Sequence, residues 1–289
     1  MRGAALRPDG ALALALLFAL ALNAPYLSER VVPIHDTFYN LANFHVFYGE
    51  LFFHGTLPRW YPYGTFGLPS DFEQAASLSP ASYLVGLLGA LVGARDVLLL
   101  FKLGALLEQL VLVLGVHLLG RRLFASRATT LALCLSAAGS TVWYGQQWWD
   151  FRLHYLLPLL LYLFVRFLEE RRPRDFWLAG ITGVGWALGL PPYASPLLAY
   201  TVVIVGLVAM GRDLPALAGR LLTPSRENVV GALAFFALAG GYAYFVANAL
   251  DHTSLHAPGR DSLTGKVLPE TFRTYGKNAD PVLVVKALA

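Results

Sequence analysis

Residues 97–120 read VLLLFKLGALLEQLVLVLGVHLLG, and this run of 24 residues decides the class of fold. Only Lys102 and Glu108 within it carry a formal charge at neutral pH. A helix that crosses the hydrocarbon core of a bilayer needs roughly 20 mostly apolar residues, which this run supplies. Arg121 and Arg122 follow at once, and such basic residues are typical of the cytoplasmic flank of a span. The run therefore predicts a transmembrane helix whose C-terminal end lies inside.

The composition of the whole chain is also that of a membrane protein. Of its 289 residues, 56% are hydrophobic and 14% are charged, and the mean hydropathy is +0.55. A soluble domain is about 25% charged, so a cytosolic globular enzyme and a disordered chain are disfavoured. The net charge of +4 does not indicate nucleic-acid binding, because the arginines form short clusters between apolar runs. The single cysteine, Cys134, excludes a disulfide within the chain and a cysteine-rich metal site.

Seven apolar runs are long enough to be considered as spans, which predicts an all-α polytopic membrane protein. A further run, residues 83–92, is only about ten residues long and is too short to cross comfortably. If it did cross, the arginines of residues 121–127 would move to the outer side, against the positive-inside rule. We therefore predict a re-entrant or surface-lying helix there. The predicted spans are residues 10–28, 97–120, 128–145, 153–169, 176–191, 196–211 and 229–249.

The arginine clusters set the predicted orientation, with the N-terminus in the cytoplasm and the C-terminus outside. The transmembrane module then covers residues 1–250, and residues 251–289 form an outer tail. An alternative reading makes the first run a signal peptide with a weak cleavage site at residues 21–24. Both readings place residues 29–96 outside. The clusters assigned to the inner side are Arg2 and Arg7; Arg121, Arg122 and Arg127; Arg171, Arg172 and Arg174; and Arg212, Arg220 and Arg226.

Residues 29–96 form a long first outer loop that is rich in aromatic residues. Loops of this length are usually functional or disordered, and disordered chains have few aromatic residues. Aromatic and leucine side chains recur at helical spacing over residues 38–53, which predicts a helix with its aromatic face in the lipid headgroups. Residues 57–69 contain prolines and glycines that forbid a regular helix. Because irregular backbone avoids lipid, we expect this segment to fold over the outer mouth of the bundle.

An ordered set of loop motifs resembles a known family. Asp36 follows the first span, and Gly-Thr-Leu-Pro-Arg-Trp-Tyr-Pro-Tyr occupies residues 55–63. Gly-Leu-Pro at residues 67–69, Ser-Pro at 79–80, Arg-Arg-Leu at 121–123 and Ser-Arg at 126–127 follow in order. From about residue 8 to about residue 250, the chain resembles the YfhO-type bacterial membrane proteins of the GT-C glycosyltransferase superfamily. The turn at residues 189–193, which includes Tyr193, lacks the histidine of the corresponding family motif.

The resemblance implies a multi-pass enzyme of the bacterial inner membrane. It would transfer a sugar from a polyprenyl-phosphate donor to an envelope glycan or lipid on the outer face. In the superfamily an acidic residue of the first outer loop is catalytic, which corresponds to Asp36. Relatives are usually longer, so we expect a truncated or minimal member that corresponds to the N-terminal module.

Asp36 is the candidate base, since sugar transfer requires deprotonation of the acceptor hydroxyl. It follows the apolar residues 31–34, where partial loss of water would raise the pKa of its carboxyl group. His35 could tune that pKa or bind a metal. The cofactor therefore stays open, and a divalent cation is one possibility. In the alternative reading, Asp36 is only the N-cap of a helix that begins at Thr37.

Other candidate substrate contacts are aromatic or charged residues of the outer side. Indole and phenol rings stack on sugars, and cations neutralise phosphate. The alternatives are membrane anchoring for the aromatic residues and extension to the headgroups for Lys102. Within its span, Lys102 shares a face with Gln109 but not with Glu108, for which we expect a polar partner on another span. Together with His35, the candidates are Trp60, Tyr63, Lys102, Trp148, Trp149, Asp150, Arg152 and Tyr193.

Two other functions fit the same sequence. One is a non-catalytic subunit or pseudoenzyme whose outer loop docks a membrane protein partner. The other is a carrier for a lipid or a polar solute, which the charges of residues 97–120 suggest. Only the enzyme should lose function on Asp36→Asn while remaining folded.

Overall fold

The computed structural model describes residues 9–28, 36–56, 60–61, 68–69, 79–140, 153–187, 200, 203–204, 208, 211 and 214–252. For residues 36–40, 60–61, 68–69, 153, 214–215 and 245–252 it describes the backbone alone. The helices are α1 (Gly10–Asn23), α2 (Asp36–His54), α3 (Pro80–Leu91), α4 (Val97–Leu123), α5 (Arg127–Ala138), α6 (Leu157–Glu170), α7 (Pro173–Ala187), α8 (Leu214–Leu222) and α9 (Arg226–His252). A 3₁₀ turn, Leu153–Leu156, precedes α6. Strands β1 (Trp60–Tyr61) and β2 (Leu68–Pro69) pair antiparallel.

The predicted all-α class is confirmed over the described residues, in which the two strands have two residues each. Among these residues, α4 alone is long and apolar enough to cross a membrane by length and composition. Helices α1, α3 and α5 are apolar but shorter. Helices also occupy most of the predicted spans at 153–169, 176–191 and 229–249, whereas only a few residues of 196–211 are described. The seven crossings therefore stay a prediction.

α4 is the central helix, and small residues let its neighbours approach closely. Ala15 and Ala19 of α1 pack with Val113 of α4 and with Cys134 and Ala138 of α5, all of them buried. Close approach through small side chains is the usual way in which apolar helices pack in membranes. The buried free thiol of Cys134 belongs to this core.

The second group of helices packs against the other side of α4. A Cβ atom on Gly115 would lie 2.7 Å from the backbone nitrogen of Leu159, so α6 crosses α4 at contact distance. α6 and α7 share a core that contains Leu163 and Trp186. α9 then packs on α7, where Trp177 covers Gly231 so closely that any side chain there would clash.

The bundle has two ends, which lie at opposite ends of α4. We call α2, α3 and the N-terminal half of α4 the outer-loop end. The C-terminal ends of α4 and α6 with the N-terminal ends of α1 and α7 form the arginine end. Phe101 at the first end and Arg121 at the second are twenty residues apart on one helix. At a rise of 1.5 Å per residue they are about 30 Å apart, which is close to the thickness of a hydrocarbon core.

The predicted helix at residues 38–53 exists as α2, but the predicted environment of its aromatic face is wrong. Phe44, Phe47 and Tyr48 are at most 2% exposed and pack against α3 and α4 rather than facing outward. The spacing fixes which side chains share a face, but it cannot tell a protein surface from a lipid surface. Phe53, which lies outside this cluster, is 77% exposed.

Candidate functional site

The structure describes the predicted site residues unevenly. Asp36 is the first residue of α2, and Trp60 lies in β1 opposite Pro69, but the side chains of Asp36 and Trp60 fall outside the described part. Lys102 is described completely. The remaining predicted site residues, which lie outside the described residues, are His35, Tyr63, Trp148, Trp149, Asp150, Arg152 and Tyr193.

α2, the helix that begins at Asp36, is fixed by aromatic packing on α3 and α4. The ring of Phe44 lies 5.9 Å from that of Phe101, and Phe47 meets the ring of Tyr83 edge-on at 4.9 Å. Such pairs add about 1 kcal/mol each beyond the burial of their area. A Cβ atom on Gly86 would lie 2.9 Å from the Phe47 ring, so α3 must carry a glycine there. The packing therefore anchors α2, the helix whose first residue is Asp36.

A partly buried hydrogen bond also connects α2 to the turn that follows α3. The hydroxyl group of Tyr48 donates to the backbone carbonyl of Ala94, in the turn between α3 and α4. Burial raises the pKa of this hydroxyl above its ordinary value, since the phenolate would lose its water. The neutral hydroxyl remains a donor over the whole physiological pH range.

Lys102 lies inside the protein at the outer-loop end. Its side chain is 1% exposed, and Nζ donates to the carbonyl of Ser28 at 2.6 Å. The ammonium group also lies 5.6 Å from the centre of the Tyr26 ring, within the range of a cation–π contact. Extension of Lys102 to the headgroups is therefore wrong, because the chain itself covers the ammonium group. Contact of Lys102 with a substrate phosphate stays a prediction.

Glu108 also has a partner within the chain. Its carboxylate accepts a hydrogen bond from the hydroxyl group of Ser79, the N-cap residue of α3, and it is fully buried. We expected a polar partner for Glu108 on another span. Glu108 has a polar partner, but the expected location is wrong, because Ser79 belongs to the short helix α3 and not to one of the predicted spans.

Gln109 completes a polar layer between α1, α4 and α5. It accepts from the amide nitrogen of Asn23 and donates to the carbonyl of Ala138 at 2.7 Å. Gln109 and Asn23 are both buried. Lys102 contacts Ser28, which lies just beyond the C-terminus of α1. Lys102 and Gln109 therefore both face the α1 segment, as the seven-residue spacing between them predicts. Helix α1 is thereby aligned antiparallel to α4.

The arginine end contains ion pairs that sequence reasoning missed. Arg122 forms an ion pair with Glu169 through its Nη2 atom. The same atom lies 3.0 Å from Glu170 Oε1. Arg166 Nε lies 3.2 Å from Oδ2 of Asp175, whose side chain is fully buried. Arg122 was predicted only as an orientation signal, and neither Arg166 nor the acidic partners were singled out. A search for acids within four residues of each cluster would have found Glu169, Glu170 and Asp175.

Asp9 connects the beginning of α1 to the end of α4. Its Oδ2 atom lies 3.4 Å from His117 Nε2 and 3.9 Å from Arg121 Nε. Asp9 also caps α1 by accepting from the backbone nitrogen of Ala11 at 3.1 Å. One carboxylate therefore terminates α1 and fixes it to α4.

The described part of the chain contains no cluster of three or more His, Cys, Asp or Glu side chains that could hold a metal ion. His35, the residue for which metal binding was considered, lies outside that part. The possible divalent cation therefore stays open.

Comparison of the chain with protein-family models finds no match, and neither a curated protein nor a solved structure matches it. The resemblance to YfhO-type proteins consequently rests on the loop motifs alone.

Proposed function

We propose that this chain is a multi-pass membrane glycosyltransferase of the GT-C type that acts on the outer face of a bacterial inner membrane. Its donor would be a polyprenyl-phosphate sugar, and its acceptor an envelope glycan or lipid. Asp36 would accept the proton of the acceptor hydroxyl. The aromatic residues would contact the sugar or the prenyl chain; they are Trp60, Tyr63, Trp148, Trp149 and Tyr193. Asp150 and Arg152 would contact the polar groups of the donor.

One observation carries this proposal: α2 is docked on α3 and α4 by the buried residues Phe44, Phe47 and Tyr48. A catalytic group must be held within a small distance of the reacting atoms, and a packed helix provides this better than a mobile loop. The docking site lies about 30 Å from Arg121 along α4, so it supports an outer position for Asp36 when the arginines are inside.

The carrier interpretation receives less support from the same contacts. It rested on Lys102 and Glu108, the two charges of residues 97–120. Lys102 donates to the carbonyl of Ser28, and Glu108 accepts from the hydroxyl group of Ser79, so both side chains already have polar partners within the chain. A partner-docking subunit remains the second candidate, because an aromatic outer loop on a rigid helix would also serve that purpose.

The proposal is tested in a bacterial strain that lacks the gene, complemented with wild type, Asp36→Asn or Glu50→Gln. Glu50→Gln is the matched control, since it removes a carboxylate from the same helix at a partly exposed position. With membrane levels matched, mass spectrometry of envelope glycans should show one sugar restored by wild type and Glu50→Gln but not by Asp36→Asn. Full restoration by Asp36→Asn would remove Asp36 as the base. Glycans that never change would favour the docking subunit.

A further inference from the structure

α3 and α4 form a helical hairpin with arms of very different length. α3 has 12 residues and α4 has 27, and only five residues separate the two helices. Gly93 in the turn has a φ of +65°, a left-handed conformation that glycine adopts without strain. So short a connection places the two helices side by side.

The contacts along the hairpin run in opposite chain order. A Cβ atom on Gly89, near the end of α3, would lie 2.7 Å from Leu100, near the start of α4. Ser82 contacts Gly104 one turn further along α4, and Ser79 is hydrogen-bonded to Glu108 one turn further again. α3 is therefore antiparallel to α4 over its whole length. A helix that lay flat on the membrane would instead cross α4 at a single point.

The position of Glu108 gives the depth of this contact. It lies eleven residues beyond Val97, or about 17 Å along a helix that is about 40 Å long. If α4 crosses the membrane, Glu108 and Ser79 lie near its middle. We propose that α3 is a re-entrant helix, and that Glu108 is the positioning residue that holds its N-terminus at mid-depth. This inference rests on the membrane placement of α4 in the proposed function.

The chemistry of the junction fits a helix end inside a membrane. The Ser79 oxygen accepts from the backbone nitrogen of Ser82 at 3.2 Å while its hydroxyl donates to Glu108. One side chain thus caps α3 and fixes it to α4. A carboxylate is also favoured near the positive end of a helix. Ser79, Ser82 and Glu108 are at most 1% exposed, as is required where a chain begins a helix within the hydrocarbon region.

The opposite face of α3 is suited to lipid. Leu84, Leu87, Leu88 and Leu91 recur at helical spacing, and each of these side chains is about half exposed or more. The buried face carries small residues, including Gly86 and Gly89, that admit α2 and α4. The first outer loop would therefore reach its deepest described point at Ser79, about halfway through the bilayer, where Glu108 holds it.

Depth-dependent fluorescence quenching tests the re-entrant geometry. Full-length Cys134→Ala protein with a single Leu84→Cys or Leu91→Cys is labelled with a small fluorophore and reconstituted into vesicles with lipids brominated at different depths. The two positions are seven residues apart, so the label at residue 84 should lie about 10 Å deeper. Equal depths would overturn re-entrance in favour of a surface-lying helix. Absence of quenching at both positions would overturn the membrane placement itself.

The role of Glu108 is tested with the same probe at residue 84. Glu108→Ala should move the label outward, whereas Glu108→Gln, which keeps an oxygen acceptor for Ser79, should retain most of its depth. Arg122→Ala, at the arginine end, is the control and should not move it. If Glu108→Ala does not accumulate, Ser79→Ala removes the donor and should give the same outward shift. An unchanged depth in both variants would overturn the positioning role. Since these measurements do not require glycan transfer, their outcome is independent of the outcome of the Asp36 test.

Discussion

The outer-loop end and the arginine end of the bundle are held together by different kinds of contact. At the outer-loop end, buried rings such as Phe44 pack together, and the buried side chain of Glu108 is hydrogen-bonded to Ser79 on another segment. At the arginine end, partly exposed pairs such as Arg122 with Glu169 connect the helix termini. Exposed pairs contribute about 0–1 kcal/mol, whereas a buried aromatic side chain contributes several.

This difference suggests that the two ends have different structural roles. Burial fixes geometry, because a packed ring or a buried hydrogen bond has few alternative positions. Exposed ion pairs tolerate rearrangement and also provide the positive charge that orients membrane proteins. We expect precision at the outer-loop end, where Asp36 begins α2, and topology to be set at the arginine end. Four substitutions, given from the largest expected effect to the smallest, test this contrast.

Phe44→Ala should have the largest effect, a loss of about 4 kcal/mol in the free energy of unfolding. The side chain is fully buried, and its removal leaves a cavity between α2, α3 and α4. Denaturant titration in detergent micelles measures the loss. Phe53→Ala on the same helix is the control, since a side chain that is 77% exposed should cost less than about 0.5 kcal/mol. Equal losses would contradict the docking of α2.

Arg166→Met should cost about 3 kcal/mol and is the exception at the arginine end. It removes the nearer cation from the fully buried carboxylate of Asp175, while Arg174 Nε remains 3.7 Å away. The double variant with Asp175→Leu should recover most of the loss, because an apolar pair avoids the buried charge. A double variant no more stable than Arg166→Met would show that the pair is not the source of the effect.

Tyr48→Phe should cost about 1 kcal/mol at pH 8, since it leaves the carbonyl of Ala94 without this donor. The folded-state pKa of Tyr48 is raised above 10, so the hydroxyl contributes fully below that pH. Its contribution is lost as the pH rises through the raised value. The difference between wild type and variant should therefore shrink at strongly alkaline pH. A difference that is the same at pH 8 and at alkaline pH would exclude this hydrogen bond as its cause.

Arg122→Ala should have the smallest effect, at most about 1 kcal/mol. Its pairs with Glu169 and Glu170 involve partly exposed side chains, so salt should screen them. At about 1 M NaCl the difference from wild type should disappear, while the effect of Phe44→Ala should persist. An effect of Arg122→Ala that survives high salt would place this pair among the buried contacts.

Much of the described fold follows from the sequence, for identifiable reasons. Apolar length predicted a helix at residues 97–120, where α4 lies. Spacing predicted that Lys102 and Gln109 share a face, and both reach the C-terminal side of α1. Helical spacing also predicted α2. These features depend on local periodicity, which the sequence contains.

The partners of these helices could not be predicted in the same way. Periodicity grouped Phe44, Phe47 and Tyr48 but did not distinguish lipid from α3 as their neighbour. The partner of Glu108 is a serine 29 residues earlier, and nothing local indicates that pairing. Apart from Lys102, the candidate site depends on side chains outside the described part, so its assembly remains a prediction.

The most direct test of the account asks whether the two ends of the bundle lie on opposite sides of a membrane. Single cysteines are placed in the Cys134→Ala protein at Thr56, Phe124, Arg172 and Thr223. A membrane-impermeant maleimide is then applied to intact cells and to permeabilised cells. We predict that Thr56→Cys reacts in intact cells and that the other three react only after permeabilisation. Reaction of Thr56→Cys and Phe124→Cys under the same conditions would show that α4 does not cross, and would contradict the account.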